Sequence, residues 1–290
     1  MKLGVVFPQT EIGTDPQMIA RFATTAEALG YDHIIAYDHV LGASTRNRPD
    51  WKGPYTSASM FHEVFVLYGY LAARTTTLEL VPGVIILPQR QTALVAKQAA
   101  SLDVLSKGRL RLGIGTGWND VEYEALGENF HNRGARCEEQ IDLMRKLWAE
   151  EVISYEGRWH RVTDAGLNPL PVRRSIPIWL GGMAPQVIDR VARIADGWIP
   201  HYNPELRSQI ATMHKAARAA GRDPARIGLE CMTLFTEDVS KARDRTKELQ
   251  DLGMTHTAVV TMNVGLKEPA AHIDAIARYR DAVGDLVDGA

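Results

Sequence analysis

The chain alternates short apolar runs with longer amphipathic stretches from one end to the other. The apolar runs are near-continuous rather than alternating with polar residues, which is typical of parallel strands buried on both faces. They predict eight strands, at Leu3–Phe7, His33–Tyr37, Leu78–Leu87, Arg109–Ile114, Pro177–Leu180, Gly197–Pro200, Ile227–Phe235 and Thr257–Met262.

Between these runs, apolar residues recur at helical spacing. The first predicted helix follows Asp15 as N-cap, has Pro16 at its first position and ends before Gly30. The other predicted helices are Phe61–Ala73, Leu94–Leu105, Arg136–Ala149, Gln186–Ile194, Glu205–Ala220, Asp238–Leu252 and Ala270–Val283. Strand and helix in strict alternation predict an α/β fold with a parallel sheet, which is either a closed (β/α)8 barrel or an open doubly wound sheet.

Two segments depart from this alternation. Residues 41–59, after the second predicted strand, form a long polar stretch that carries Trp51 and Tyr55. In a barrel such a loop lies on the active face, so 41–59 is a candidate lid, with an ordinary surface loop as the alternative. The second segment, residues 151–176, lies before the fifth strand, and we expect it to form an inserted hairpin. We expect one barrel domain over residues 1–290.

Composition narrows the class of protein. The 290 residues are 45% hydrophobic with a formal charge of −2, and neither a Lys/Arg cluster nor a long apolar stretch is present. These features argue against nucleic-acid and membrane partners and favour a cytoplasmic protein that acts on a small-molecule substrate. Cys137 and Cys231 lie far apart and fit unpaired thiols in a reducing compartment. The nine histidines show no ligand spacing, so we expect no metal site.

The most informative pair of polar residues is Asp38-His39, at the end of the second predicted strand. A carboxylate and an imidazole supply a hydrogen-bond acceptor and a group suited to proton transfer near neutral pH. An Asp that caps a helix beside a solvent-facing His is the alternative. The carboxyl end of a barrel strand favours the functional interpretation.

Two glycine-rich turns also follow predicted strands. Gly115-Thr116-Gly117 can bring backbone close to a ligand, although the spacing is not that of a dinucleotide-binding fingerprint. Gly181-Gly182-Met183 precedes a helix whose N-terminus attracts anions, which predicts a phosphate site there. Plain tight turns are the alternative in both places.

In this order, the strand-end motifs resemble those of the bacterial luciferase-like family of flavin and deazaflavin oxidoreductases. The resemblance spans about residues 1–262. The matching segments are Ala36–His39, Gly83–Arg90, Ser101–Leu110, Gly113–Trp118, Ile178–Met183 and Ala195–Trp198.

The resemblance implies a TIM-type barrel, usually a homodimer, with an insertion between strands 4 and 5. It also implies a cofactor across the strand ends, near Gly115, Thr116 and Gly117, with its phosphate on the Gly181-Gly182-Met183 loop. A non-prolyl cis peptide often backs the cofactor ring in this family, and Gly83-Val84 matches that position.

An Asp-His pair at the second strand resembles the branch that uses coenzyme F420. There Asp38 would lie near the cofactor, and His39 would stabilise or exchange protons with the substrate. In sugar-phosphate dehydrogenases of this branch an acidic residue stands where this chain has Trp118. This difference argues against that acid chemistry and that substrate.

We therefore expect an oxidoreductase that transfers a hydride between coenzyme F420 and a small organic substrate. One alternative is an FMN-dependent monooxygenase on the same barrel. The other is a flavin-binding protein without catalytic activity.

Overall fold

The computed structural model describes residues 1–287 and shows a barrel of parallel strands surrounded by helices. Around the barrel the strands follow the order β1, β2, β3, β4, β5, β8, β9, β10, β11, and β11 pairs with β1. The strands are β1 (Lys2–Val6), β2 (His33–Ala36), β3 (Glu79–Pro82), β4 (Ile85–Ile86), β5 (Leu112–Gly115), β6 (Ile153–Glu156), β7 (Arg161–Ala165), β8 (Ile178–Gly181), β9 (Gly197–Ile199), β10 (Gly228–Leu234) and β11 (His256–Val260). The closed barrel was one of the two architectures predicted, and the open sheet is wrong.

The third barrel strand is divided in two, which corrects the continuous strand predicted over Leu78–Leu87. A cis peptide between Gly83 and Val84 separates β3 from β4, at the predicted position. β3 pairs with β2, whereas β4 pairs with β5. A bridge between Leu80 and Leu110 joins β3 to the chain leading into β5 and closes the barrel.

The helices match the predicted ones apart from their ends and one addition, α4, which the sequence pattern did not indicate. At α1, Asp15 accepts a hydrogen bond from Gln17 N at 3.0 Å and Gly30 has a φ of 78°, as the predicted cap and stop require. The helices are α1 (Pro16–Ala28), α2 (Val64–Ala72), α3 (Thr92–Leu105), α4 (Asp120–Ala125), α5 (Arg133–Ala149), α6 (Pro185–Ile194), α7 (Leu206–Ala219), α8 (Val239–Asp251) and α9 (Pro269–Val287).

The two irregular segments lie where they were expected. β6 and β7 form an antiparallel hairpin within residues 151–176, outside the barrel alternation. Residues 41–59 contain neither helix nor strand and follow β2 at the carboxyl end of the barrel. Ser57 N donates to Ala43 O at 2.9 Å, so the two ends of this segment, called the lid below, are joined.

A buried charged network fills the amino-terminal end of the barrel, here called the floor. Glu230 accepts hydrogen bonds from His33 Nε2 at 2.5 Å and Arg111 Nη1 at 2.6 Å. Arg111 also pairs with Glu79 at 2.8 Å and lies 4.2 Å from the Trp179 ring. Apolar side chains separate the floor from the opposite end: Val6, Ile35, Val81, Ala258, Val260 and Met262. The polar floor was not predicted, because its members are scattered through the sequence.

The cysteines and helices bear on two further expectations. Cys137 and Cys231 are both free and buried, as expected for unpaired thiols. Within residues 1–287, none of the helices has the length and apolar character needed to cross a bilayer.

Candidate active site

The carboxyl ends of the barrel strands surround a cavity of about 680 Å³. This volume lies in the range of about 300–1,000 Å³ that is common for ligand pockets. All the residues predicted for the site line the cavity: Asp38, His39, Gly83, Val84, Gly115, Thr116, Gly117, Gly181, Gly182 and Met183. The structure thus brings together residues from four places along the barrel: the end of β2, the break between β3 and β4, the end of β5 and the end of β8.

Asp38 lies directly beyond β2, and its carboxylate is held by arginine. Both of its oxygens accept from Arg90 Nη2 at 2.8 Å, and Arg90 Nη1 also donates to Glu63 at 3.0 Å. Burial raises the pKa of Asp38 above its ordinary value, although the neighbouring Arg90 charge acts in the opposite direction. Asp38 is therefore an anchored group at the cavity wall, and its carboxylate has no hydrogen bond to His39 among the described residues.

His39 instead contacts Glu122, which comes from α4 and is buried. His39 Nδ1 lies 3.2 Å from Glu122 Oε2, and Asn119 Nδ2 donates to the same oxygen at 3.2 Å. Glu122 Oε1 accepts from the backbone N–H groups of Val40 at 2.8 Å and Leu41 at 3.3 Å. Although burial opposes ionisation, the hydrogen bonds from His39 and from the two backbone groups keep the pKa of Glu122 below its ordinary value.

This arrangement fixes the protonation of the imidazole ring. An ionised carboxylate only accepts hydrogen bonds, so His39 Nδ1 must carry a hydrogen when it faces Glu122. In the neutral ring the acceptor is then Nε2. His39 lines the cavity, and its Nε2 forms no hydrogen bond within residues 1–287. The free nitrogen of this ring is available to a ligand.

The break in the third barrel strand places Val84 against the glycines of neighbouring strands. A Cβ on Gly115 would lie 2.6 Å from Val84 Cγ2, and one on Gly181 would lie 3.0 Å from Val84 Cγ1. The contact at Gly115 is closer than real Cβ atoms allow and the one at Gly181 is tight, so glycine favours this packing at both positions. The result is a smooth, small-residue wall formed by β4, β5 and β8 on one side of the cavity.

The loop before α6 has the properties of an anion site. Gly182 has a φ of 116°, a region that favours glycine, and its carbonyl accepts from Trp198 Nε1 at 2.8 Å. Within the described residues, the N–H groups of Met183 and Ala184 donate to no protein acceptor, whereas Gly182 continues the pairing of β8 with β9. These free donors and the positive end of α6 match the predicted phosphate position.

The turn after β5 is tied to α4. Gly117 has a φ of 71°, and the carbonyl of Thr116 accepts from Tyr123 Oη at 2.7 Å. Because α4 also carries Glu122, this short helix holds both the glycine turn and the His39 ring in place.

Sequence reasoning missed Glu122 and Arg90 as members of the site. Arg90 stands at the end of the matching segment Gly83–Arg90, but its partner Asp38 is distant in sequence. Glu122 lies on a helix that was not predicted. Its signal was an acidic residue in the first turn after Asn119, which is an N-cap whose side chain accepts from Val121 N at 3.2 Å.

No cluster of three or more His, Cys, Asp or Glu side chains suited to a metal ion occurs in residues 1–287. The geometry is that of an organic cofactor site, with a glycine-lined wall, free backbone donors and a titratable group at the mouth. A volume of this size, the open glycine wall and the unused N–H groups fit a flavin or deazaflavin with its phosphate.

Comparison with known proteins supports this class. A protein of Mycobacterium tuberculosis without an assigned function is 34% identical over 261 residues, covering 87% of this chain and 88% of the relative. The F420-dependent glucose-6-phosphate dehydrogenase of Kineococcus radiotolerans is 29% identical over 250 residues, covering 83% of this chain and 70% of the relative. The FMNH₂-dependent dimethylsulfone monooxygenase of Pseudomonas fluorescens is 30% identical over 229 residues, covering 77% of this chain and 59% of the relative.

The fold is shared with solved structures. An F420-dependent secondary alcohol dehydrogenase in complex with an F420–acetone adduct superposes with a TM-score of 0.78, at 17% identity, covering 97% of this chain and 98% of that one. The family model described as luciferase-like monooxygenase matches residues 1–285. The chain thus belongs to the luciferase-like monooxygenase family of oxidoreductases, which has F420-dependent and FMN-dependent members.

Proposed function

We propose that this protein transfers a hydride between coenzyme F420 and a small organic carbonyl or alcohol. The cofactor phosphate would lie beside Gly182, on the free N–H groups of Met183 and Ala184 at the start of α6. The glycine wall around Val84 would face its ring, with Gly83, Gly115, Thr116 and Gly117 beside it. When bound, a deazaflavin supplies or accepts the hydride.

In this proposal the protein controls the proton. Nε2 of His39 is the group that holds or gives the proton at the substrate oxygen, and Glu122 orients the ring through Nδ1. Asp38, clamped by Arg90, keeps the end of β2 in place and contributes to the cofactor side of the cavity. The lid contributes Pro54 and Tyr55 to the cavity wall and limits the access of water.

The single observation that carries the proposal is the Glu122–His39 pair with its free Nε2 in the cavity. A bound proton acceptor or donor beside the substrate oxygen is what carbonyl–alcohol interconversion requires, and it argues against a site that only binds flavin. The F420-dependent dehydrogenases among the relatives support the same cofactor.

An FMN-dependent monooxygenase is the second candidate, and the FMNH₂-dependent relative at 30% identity favours it. The two are separated by the ligand that co-purifies with the protein from a host that makes both cofactors. We expect the absorbance and fluorescence of a deazaflavin in the released ligand, and anaerobic bleaching of the cofactor by an alcohol substrate. Release of FMN alone, together with substrate-dependent oxygen consumption, would overturn the F420 proposal.

The location and assembly are proposed with the function. We propose a cytoplasmic homodimer consisting of one barrel domain per chain over residues 1–290, of which 288–290 lie outside the described part. Sedimentation of the purified protein tests the assembly state, and a monomer with full activity would contradict it.

A further inference from the structure

The His39 ring is surrounded by aromatic side chains. Its centroid lies 5.0 Å from that of Tyr55, 4.8 Å from that of Phe61 and 5.9 Å from that of Trp118. Trp51 extends this group, with its centroid 5.8 Å from Trp118. We call Trp51, Tyr55, Phe61 and Trp118 the aromatic box. Three of the four come from the lid and the segment that follows it, and the fourth follows the glycine turn of β5.

The aromatic box is held by specific contacts. Trp51 Nε1 donates to the carbonyl of Tyr55 at 3.0 Å, which fixes the indole within the lid. A Cβ on Gly53 would lie 2.6 Å from both the Trp51 and the Trp118 rings, so the glycine lets the lid backbone pack directly on the two indoles. The rings therefore have defined positions.

Trp118 has more of its surface exposed than a packed indole does. Its side chain is 44% exposed, and it lines the cavity together with Tyr55 and His39. Large aromatic surfaces left uncovered inside a pocket gain free energy when a flat apolar group covers them. Trp118 therefore offers a flat apolar surface close to His39.

Charge complements the shape. Arg133 is the only Lys or Arg among the described cavity-lining residues, and its guanidinium lies 3.7 Å from the centroid of the Phe130 ring and donates to the Phe130 carbonyl at 2.8 Å. The Asp38 carboxylate is already paired with Arg90. Burial raises the pKa of Tyr55, so its hydroxyl stays uncharged. A substrate phosphate or carboxylate would lose hydration here without a set of cations to replace it.

We infer that the substrate is a small uncharged molecule with a flat, conjugated or aromatic skeleton. It stacks against Trp118 and Tyr55, the two members of the aromatic box that line the cavity, with its oxygen at His39 Nε2. The inference rests on the proposed function for the place of the reacting oxygen. The box itself, and the charge of the wall, do not depend on which cofactor is bound.

Binding can be tested without turnover. Three probes differ in one property each: acetophenone is flat and uncharged, cyclohexyl methyl ketone is uncharged but puckered, and 4-acetylphenyl phosphate is flat but charged. The protein, carrying whichever of F420 or FMN it retains, is labelled with 5-fluorotryptophan. The signals of Trp51 and Trp118 are assigned from Trp51→Phe and Trp118→Phe variants and followed by fluorine NMR during titration.

We expect acetophenone to shift the Trp118 signal more than the Trp51 signal, because only Trp118 lines the cavity. It should bind about 2–10-fold more tightly than cyclohexyl methyl ketone, the range that an aromatic pair contributes. The phosphate should bind more weakly than acetophenone. Trp118→Leu should bring the ratio of the two ketones to about one. Trp159→Leu, a matched change in the hairpin between β6 and β7, should leave the ratio unchanged.

Each other result overturns the inference. Equal affinity for the two ketones rejects a flat skeleton, tighter binding of the phosphate rejects an uncharged substrate, and no binding of any probe rejects the box as a substrate site. Failure of the proposed function is distinguishable, because acetophenone would then shift Trp118 as expected while no hydride is exchanged with the bound cofactor.

Discussion

At the scale of single residues, the Glu122 carboxylate has a donor of this chain at each of its hydrogen-bonding positions. Two donors are backbone N–H groups of Val40 and Leu41, and two are the side chains of His39 and Asn119. Only a group with two acceptor oxygens can satisfy all four. An amide in the same place would have one acceptor oxygen and would turn a donor toward two of them.

Glu122→Gln is therefore expected to reverse the tautomer of His39. If the amide oxygen still accepts from the N–H groups of Val40 and Leu41, the amide NH₂ group faces His39 Nδ1. Nδ1 must then be the acceptor, and Nε2 carries the hydrogen. Nitrogen NMR of the imidazole reports the tautomer directly. We expect kcat to fall by about 10²–10⁴-fold, the usual contribution of acid–base catalysis. Glu124→Gln changes an exposed carboxylate on the same helix and should alter neither the His39 tautomer nor kcat. An unchanged tautomer in Glu122→Gln would remove Glu122 from the mechanism.

His39→Ala tests the imidazole itself. If Nε2 exchanges a proton with the substrate, kcat should fall by about 10²–10⁴-fold while the cofactor Kd changes little. A role confined to packing predicts the reverse: a lower melting temperature with kcat per folded molecule preserved. Measuring kcat, cofactor Kd and melting temperature on one preparation separates the two, and a normal kcat would end the catalytic assignment.

At the scale of elements, the strand-to-helix turns carry the site, and β8 to α6 is the one proposed to bind phosphate. Gly182→Asp should weaken cofactor binding by up to about 30-fold, because a charge at a helix N-terminus is worth up to about 2 kcal/mol and this one repels the phosphate. Gly182→Ala adds a Cβ without charge, at an ordinary 3.5 Å from Val187. In a fluorescence titration, cofactor affinity should decrease in the order wild type, Gly182→Ala, Gly182→Asp. Equal losses in both variants would attribute the effect to the φ of 116° instead.

The packing of β4 against β5 gives a second prediction at this scale. Gly115→Ala places a Cβ 2.6 Å from Val84 Cγ2 and should destabilise the protein by about 1–3 kcal/mol, as overpacking does. Val84→Ala removes the colliding methyl groups, so the double variant should be more stable than the sum of the single changes. Urea unfolding of the four proteins measures this coupling, and strict additivity would mean that the two residues do not contact each other.

Elements also show what the sequence could and could not reveal. Apolar runs and helix caps located the strands and most helices, because these signals are local. The divided third strand was predicted as one run, since Gly83 and Val84 are both compatible with a strand by composition. Helix α4 was missed because its six residues are too few for an apolar period, and Glu122 was missed with it.

At the scale of the whole molecule, the two ends of the barrel differ in the groups that they carry. Groups that face the cavity lie at the carboxyl end, whereas the floor is sealed by ion pairs around Glu230. Burial opposes the ionisation of Glu230, but Arg111 and His33 keep its pKa far below the ordinary value. Next to them, burial and the charge of Arg111 lower the pKa of His256 to about 3.

The depressed pKa of His256 makes stability depend on pH. Below the unfolded-state pKa of about 6.5, the unfolded chain binds a proton that the folded protein excludes until about pH 3, so stability falls as pH falls. Between about pH 6 and pH 5, where Glu230 stays ionised in both states, the slope is about 1.4 kcal/mol per pH unit for one proton. Urea unfolding of His256→Gln should lack this contribution, and His131→Gln, at an exposed site, should retain it. Equal slopes for wild type and His256→Gln would contradict the prediction.

The shared carboxylate of Glu122 has a consequence for the order of events in a catalytic cycle. The backbone at the entry to the lid and the imidazole ring are held by the two oxygens of one carboxylate, so a rotation of the Glu122 side chain would disturb both contacts together. If the lid opens during the proposed reaction, we therefore expect enclosure of the substrate and alignment of the His39 ring to be coupled through Glu122. Substitutions at Glu122 cannot change the speed of opening without changing the chemical step.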